Sequence, residues 1–133
     1  MKNIIIIFAV LITSLTIGSA FLDNFSASSV GSQIRLDWKT STETNVRSFT
    51  IERRTINGSF VQISDILAKG SNSVYSFTDD NVYKTTSGSS NVYVYRLKIV
   101  DNDNNTSYSK ELAVSHSLSE IKRTWGSIKA MFR

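Results

Sequence analysis

From Phe21 to Ser115 apolar and polar residues alternate with a period of two, in short runs separated by Ser, Asn, Gly and Thr clusters, and no helical period appears before residue 117. That pattern belongs to half-buried antiparallel strands, and it confines the chain to an all-β architecture. Seven runs can be counted. Phe21 to Ser28 offers Leu22 and Phe25 as a ragged first strand. Gln33 to Thr40 sets Ile34, Leu36 and Trp38 inward and Arg35, Asp37 and Lys39 outward. Ser48 to Arg54 opposes Phe49 and Ile51 to Thr50 and Glu52, and Ser59 to Ser64 carries Phe60 with either Val61 or Ile63. Val74 to Thr78 holds Tyr75 and Phe77. Asn91 to Asp101, the longest run, places Tyr93, Tyr95, Leu97 and Ile99 on one face, and Tyr108 to Ser115 contributes Leu112 and Val114.

Strands this short and this numerous bury their apolar faces best against each other, as a two-sheet sandwich of seven strands. The 133 residues suffice for one such domain, and 41% hydrophobic with 20% charged residues is an ordinary globular balance. There is no cysteine, which excludes disulfides, thiolate metal sites and Cys nucleophiles. The core must therefore hold the fold alone. Between strands, Asn57-Gly58 suits a turn with positive φ.

The series Ile34-x-Leu36-x-Trp38-x-Thr40, Glu43-x-Asn45-x-x-x-Phe49-x-Ile51-Glu52-Arg53, Phe60-x-x-Ile63 and Tyr93-x-Tyr95-Arg96-Leu97-Lys98-x-Val100-Asp101 resembles a fibronectin type III-like, immunoglobulin-like domain. The resemblance covers residues 21–115 and is to the variant found in secreted surface proteins of the Bacteroidetes and Chlorobi lineage. It implies that Trp38 and Tyr93 are core residues with structural roles. In related chains the module sits beside a catalytic or adhesive region, often ahead of a C-terminal sorting domain; here the expectation is a module that stands alone. The fold alone does not specify an activity.

Residues 1–20 combine Lys2, an apolar run from Ile4 through Leu15 and the small residues Gly18, Ser19 and Ala20. A basic start, a short apolar middle and a small-residue end describe a cleaved signal peptide, with export to the periplasm, outer membrane or cell surface. The sandwich is then expected over residues 21–115.

The net charge of +4 is unevenly placed. Residues 21–116 hold ten Lys/Arg and ten Asp/Glu, so the body is neutral and offers no grouped basic surface for nucleic acid. Beyond it, Lys122, Arg123, Lys129 and Arg133 face only Glu120. Over residues 116–133 the period changes: Leu118, Ile121, Trp125, Ile128 and Phe132 recur every three or four residues, as one stripe of an amphipathic helix. Ser117 and Glu120 form a capping-box pair, and Lys129 and Arg133 lie where the helix dipole favours cations. A helix this short needs a surface to lie on. Its own sandwich, a membrane surface and a partner's groove are the alternatives.

The remaining signals are weak. Asp101 to Asn105 spaces oxygen atoms alternately, but without the glycine and distal glutamate of a calcium loop it reads as a polar hairpin turn. Glu43 and Asn45 read as loop braces bonded to backbone, His116 as a solvent-facing residue at the strand-to-helix joint, and residues 85–91 as a flexible loop. No carboxylate pair, nucleophile with a base, or phosphate-cradling loop is evident, so neither catalysis nor a cofactor or metal is expected. The expectation is a non-catalytic accessory or assembly subunit. It docks on an envelope or cell-surface protein through Leu118, Ile121, Lys122, Trp125, Ile128, Lys129, Phe132 and Arg133. An adhesive or glycan-binding module using the strand-connecting loops is the alternative, as is association with a membrane surface.

Overall fold

The computed structural model describes residues 19–82 and 90–117. The strands are β1 (Ser19–Val30), β2 (Gln33–Thr44), β3 (Val46–Thr55), β4 (Val61–Leu67), β5 (Val74–Asp79), β6 (Ser90–Asp101), β7 (Thr106–Tyr108) and β8 (Leu112–Ser117). They form a three-stranded sheet in the order β1-β2-β5 and a five-stranded sheet in the order β4-β3-β6-β7, with β8 also paired to β6. Every pairing is antiparallel. The two sheets enclose one core in a β-sandwich-like arrangement.

Alternation decides which residues meet inside. Ile34, Leu36 and Trp38 of β2, Phe49 and Ile51 of β3, and Tyr93, Tyr95 and Leu97 of β6 are all essentially excluded from water. Each contributes roughly 1.5–3 kcal/mol by leaving water, set against the entropy of ordering the chain. At the centre Trp38 lies flat on its register neighbour Tyr75, with ring centroids 5.1 Å apart and planes 4° apart. Phe49 meets Trp38 edge-on from the other sheet at 6.0 Å. This aromatic trio joins the two layers.

The sandwich has two poles. The chain enters β1 at the first, where Ser19 pairs with Thr44 beside the β2–β3 link. The β4–β5 loop and the β6–β7 turn lie at the same pole, the latter through a bond from the Asn102 amide to the Asn45 carbonyl. The chain leaves β8 at the second pole, where Ser117 pairs with Ser90 at the start of β6.

Four expectations need correction. The run from 108 to 115 is two strands, because residues 109–111 break away from β6: the Ser109 hydroxyl takes the Leu97 amide hydrogen at 2.8 Å while the Ser109 amide bonds the Leu97 carbonyl at 2.8 Å. A side chain has replaced a ladder partner there. His116 does not face solvent; it lies within β8, 3% exposed, with Nδ1 2.9 Å from the Ser29 hydroxyl of β1. Glu43 belongs to β2 and not to a loop, leaving Asn45 alone between β2 and β3 with φ at 54°. The Asn57-Gly58 turn uses no positive φ; instead a Cβ at Gly58 would stand 2.6 Å from the Thr55 hydroxyl, so a side chain there would force Thr55 to shift. Left-handed backbone is used at Gly31 (φ 59°), which closes the β1–β2 hairpin.

Candidate interaction surface

The residues expected to bind a partner, Leu118, Ile121, Lys122, Trp125, Ile128, Lys129, Phe132 and Arg133, lie outside the described residues, as do 83–89 and all of the expected signal peptide before Ser19. What the structure places is the strand that leads to them. β8 runs along the edge of the five-stranded sheet to Ser117 at the second pole, and His116, one residue earlier, is inserted between the two sheets against β1.

Inside the sandwich, most polar side chains hold it together, while Trp38 Nε1 and His116 Nε2 have no hydrogen-bond partner. Arg53 shares the inward parity of Phe49 and Ile51, and its guanidinium meets the Asp79 carboxylate of β5 at 2.5 Å. Tyr95 donates its hydroxyl to the same oxygen at 2.8 Å. Asp79 is 3% exposed, so one buried carboxylate ties β5 to both β3 and β6. Burial and the neighbouring Asp79 charge both push the Tyr95 hydroxyl pKa well above the usual phenol value.

A second network closes the first pole. Glu43 Oε1 accepts from the Thr40 hydroxyl at 2.8 Å and from the Tyr75 hydroxyl at 2.5 Å, while Oε2 accepts from the Gly70 amide at 2.9 Å. The bracing role expected of Glu43 is present, with more side-chain partners than anticipated. Burial, followed by the bond to Glu43, pushes the Tyr75 hydroxyl up to about 12. Asn45 links to Asp103 and Asn102 through its side-chain amide, and Arg47 reaches the Asn104 amide oxygen at 2.7 Å. The Asp101 carboxylate accepts from the Asp103 and Asn105 amides at 2.9 and 2.8 Å, as a carboxylate does in a self-capped turn. The segment 101–105 is therefore a hairpin turn. Among the described residues no group of three or more His, Cys, Asp or Glu side chains could hold a metal ion.

The outer face of the five-stranded sheet carries a feature that sequence reasoning missed. Arg96 of β6 lies 3.8 Å over the Phe60 ring and 4.0 Å over the Tyr108 ring, and Glu52 of β3 holds its Nε at 2.8 Å. Arg54 approaches Phe60 at 5.1 Å and donates to the Thr55 and Ile56 carbonyls. The result is a ladder of alternating guanidinium and aromatic planes, Arg54, Phe60, Arg96 and Tyr108. The outward parity of Glu52, Arg54 and Arg96 was legible, but Phe60 precedes β4 and Tyr108 sits on the short β7, so their convergence required the tertiary register.

A cleft of about 300 Å³ opens where two irregularities coincide, the register shifts of β1 between Phe21 and Asn24 and the break after β7. Leu22, Asp23, Asn24, Phe25 and Lys110 line it. They supply one carboxylate, from Asp23, and one ammonium, from Lys110, beside the apolar Leu22 and Phe25.

The class that the fold defines is the all-β, two-sheet sandwich. The chain matches no protein-family model and no curated protein. Among solved structures it is similar to part of the pectate lyase PelI from Erwinia chrysanthemi, determined in complex with tetragalacturonic acid. There the identity is 21% and the TM-score 0.51, over 68% of this chain and 27% of that one. It is also similar to part of the pectate lyase Pel3 from Pectobacterium carotovorum, at 19% identity and a TM-score of 0.48, over 70% of this chain and 25% of that one. The chain spans about a quarter of the length of either lyase, and the likeness to PelI is one of fold.

Proposed function

We propose that the chain is a non-catalytic, exported module of the fibronectin type III-like kind that serves as an accessory or assembly subunit. It docks on an envelope or cell-surface protein through residues 118–133. The observation that carries this reading is how the sandwich uses its charge. Arg35, Arg53, Arg54 and Arg96 are each ion-paired within the body, to Asp37, Asp79, Glu111 and Glu52, while the excess cations of the sequence fall after β8. The polar groups of the sandwich serve the fold, and the composition of residues 118–133, apolar anchors with basic neighbours, suits a partner's groove. Sheet order, with three strands facing a larger sheet and Trp38 and Tyr93 in the core, supports the fibronectin type III-like reading.

The test is a pull-down from envelope extracts with the whole chain and with a chain ending at Ser117. The docking reading expects a partner retained only by the whole chain; a partner held equally by both would defeat it. Sedimentation with anionic and neutral liposomes accompanies it, because salt-sensitive binding to anionic vesicles without a protein partner would assign the segment to a membrane surface instead.

A second reading has its own support. The loops of the first pole are internally bonded through Asn45, Arg47, Asn102 and Asp103, and such rigidity suits ligand-binding or adhesive loops. A glycan array in which the chain ending at Ser117 keeps its binding would favour it.

A further inference from the structure

We propose that the outer face of the five-stranded sheet at Tyr108 is a binding platform for a carboxylated sugar ring. The platform uses none of residues 118–133, so it stands or falls separately from the docking reading.

Tyr108 is half exposed, at 51%, on the edge strand β7, yet its ring is not loose. The Arg96 guanidinium backs it at 4.0 Å, and Arg96 is itself fixed by Phe60 behind it and Glu52 beside it. An exposed aromatic whose orientation is set before any ligand arrives loses little freedom on binding. The face turned away from Arg96 carries the negative potential of the π system, to which the C–H groups on the flat side of a pyranose are complementary.

The surroundings select the ligand. Lys98 stands directly opposite Tyr108 in register, which sets the Cβ atoms about 5 Å apart on one face. Lys98 has no carboxylate partner among the described residues: Glu52 is taken by Arg96, and the Asp65 carboxylate by the Thr50 hydroxyl. An unpaired ammonium beside a presented ring matches a sugar bearing a carboxylate. A protein hot spot, by contrast, requires an apolar surround that excludes water, and although Val100 and Phe60 share this sheet face, the ring itself is flanked by Arg96, Lys98, Thr50 and Thr106. One ring rimmed by hydrogen-bonding groups suits a saccharide better than a protein.

The experiment uses the full chain and short defined probes, alginate trisaccharides as the uronate and cellotriose as the neutral sugar, followed by NMR titration at fixed ionic strength. The expected result is saturable binding of the uronate, with Tyr108 and Lys98 among the perturbed residues and cellotriose at least tenfold weaker, since a paired charge is lost. Tyr108→Ala should weaken uronate binding about tenfold or more, Tyr108→Trp should retain it, and Lys98→Gln should erase the preference for uronate over the neutral sugar. Unchanged urea midpoints for the variants would show that folding is intact. Uronate binding indifferent to Tyr108→Ala overturns the proposal, because the basic residues after β8 then account for it. So does a protein partner whose capture depends on Tyr108.

Discussion

The carboxylate of Glu43, near the end of β2, receives the phenolic hydrogen of Tyr75, near the start of β5, at 2.5 Å, and so closes the three-stranded sheet across its first pole. Because the same carboxylate also accepts from Thr40 and Gly70, removing it strands three donors at once. Glu43→Ala is expected to lower stability by about 2–3 kcal/mol, and Glu43→Gln by less, since an amide oxygen still accepts. Urea titration checks this, with a lower midpoint at an unchanged slope.

Burial of the Tyr75 hydroxyl, together with this bond, gives an alkaline signature. The Tyr75 hydroxyl is held at about 12 against an ordinary value of 10.0, so the folded state keeps its proton more tightly than the unfolded chain does. The stability this supplies is complete below pH 10 and is lost as pH rises from there toward 12. Urea midpoints from pH 8 to 11.5 should fall steeply above pH 10 in the wild type. Tyr75→Phe should start lower and decline less over that window.

Asp79 and Arg53 form a buried pair, and breaking it from one side leaves a charge in the core. Asp79→Ala should cost about 3–5 kcal/mol. A combined Arg53→Met, Asp79→Leu and Tyr95→Phe variant should recover most of that loss, because the buried charge and the Tyr95 hydroxyl are removed together and only the Asn81 amide loses its acceptor. Thermal unfolding of both variants decides the matter: if the triple variant were as unstable as the single one, the pair would be more than a satisfied burial.

His116 and Ser29 make the complementary case. Ser29→Ala removes the partner of Nδ1 at the β1–β8 seam and should cost about 1 kcal/mol. His116 Nε2 is buried without a hydrogen-bond partner. Adding His116→Leu to Ser29→Ala should therefore bring the urea midpoint back to the wild-type value or above it.

Much of the sandwich was legible because alternation is a local property. The parity of Ile34, Leu36 and Trp38, or of Tyr93, Tyr95 and Leu97, follows from the pleat, and these residues are indeed buried. The same parity placed Arg53 inward with Phe49 and Ile51, a sign that a buried charge needed a partner, although nothing local pointed to Asp79 twenty-six positions away. His116 was misread for the same reason: its partner Ser29 is 87 positions distant, and a lone histidine beside a period change looks like a linker. The split between β7 and β8 was hidden because Ser109 makes ladder-like bonds with its side chain, which composition does not reveal. The Arg96 ladder was hidden because Phe60 and Tyr108 converge only once β4, β3, β6 and β7 are in register. The stripe from Leu118 to Phe132 lies outside the described residues.

The chain enters at one pole and leaves at the other, and this has a mechanical consequence. Traction applied at Ser19 and Ser117 acts along the strand axes, so the ladders joining β1 to β2 and β8 to β6 are loaded in shear, with many bonds sharing the force. Peeling them apart one at a time would need a pull across the strands. The sandwich should thus resist a pull along its strands far better than one across them.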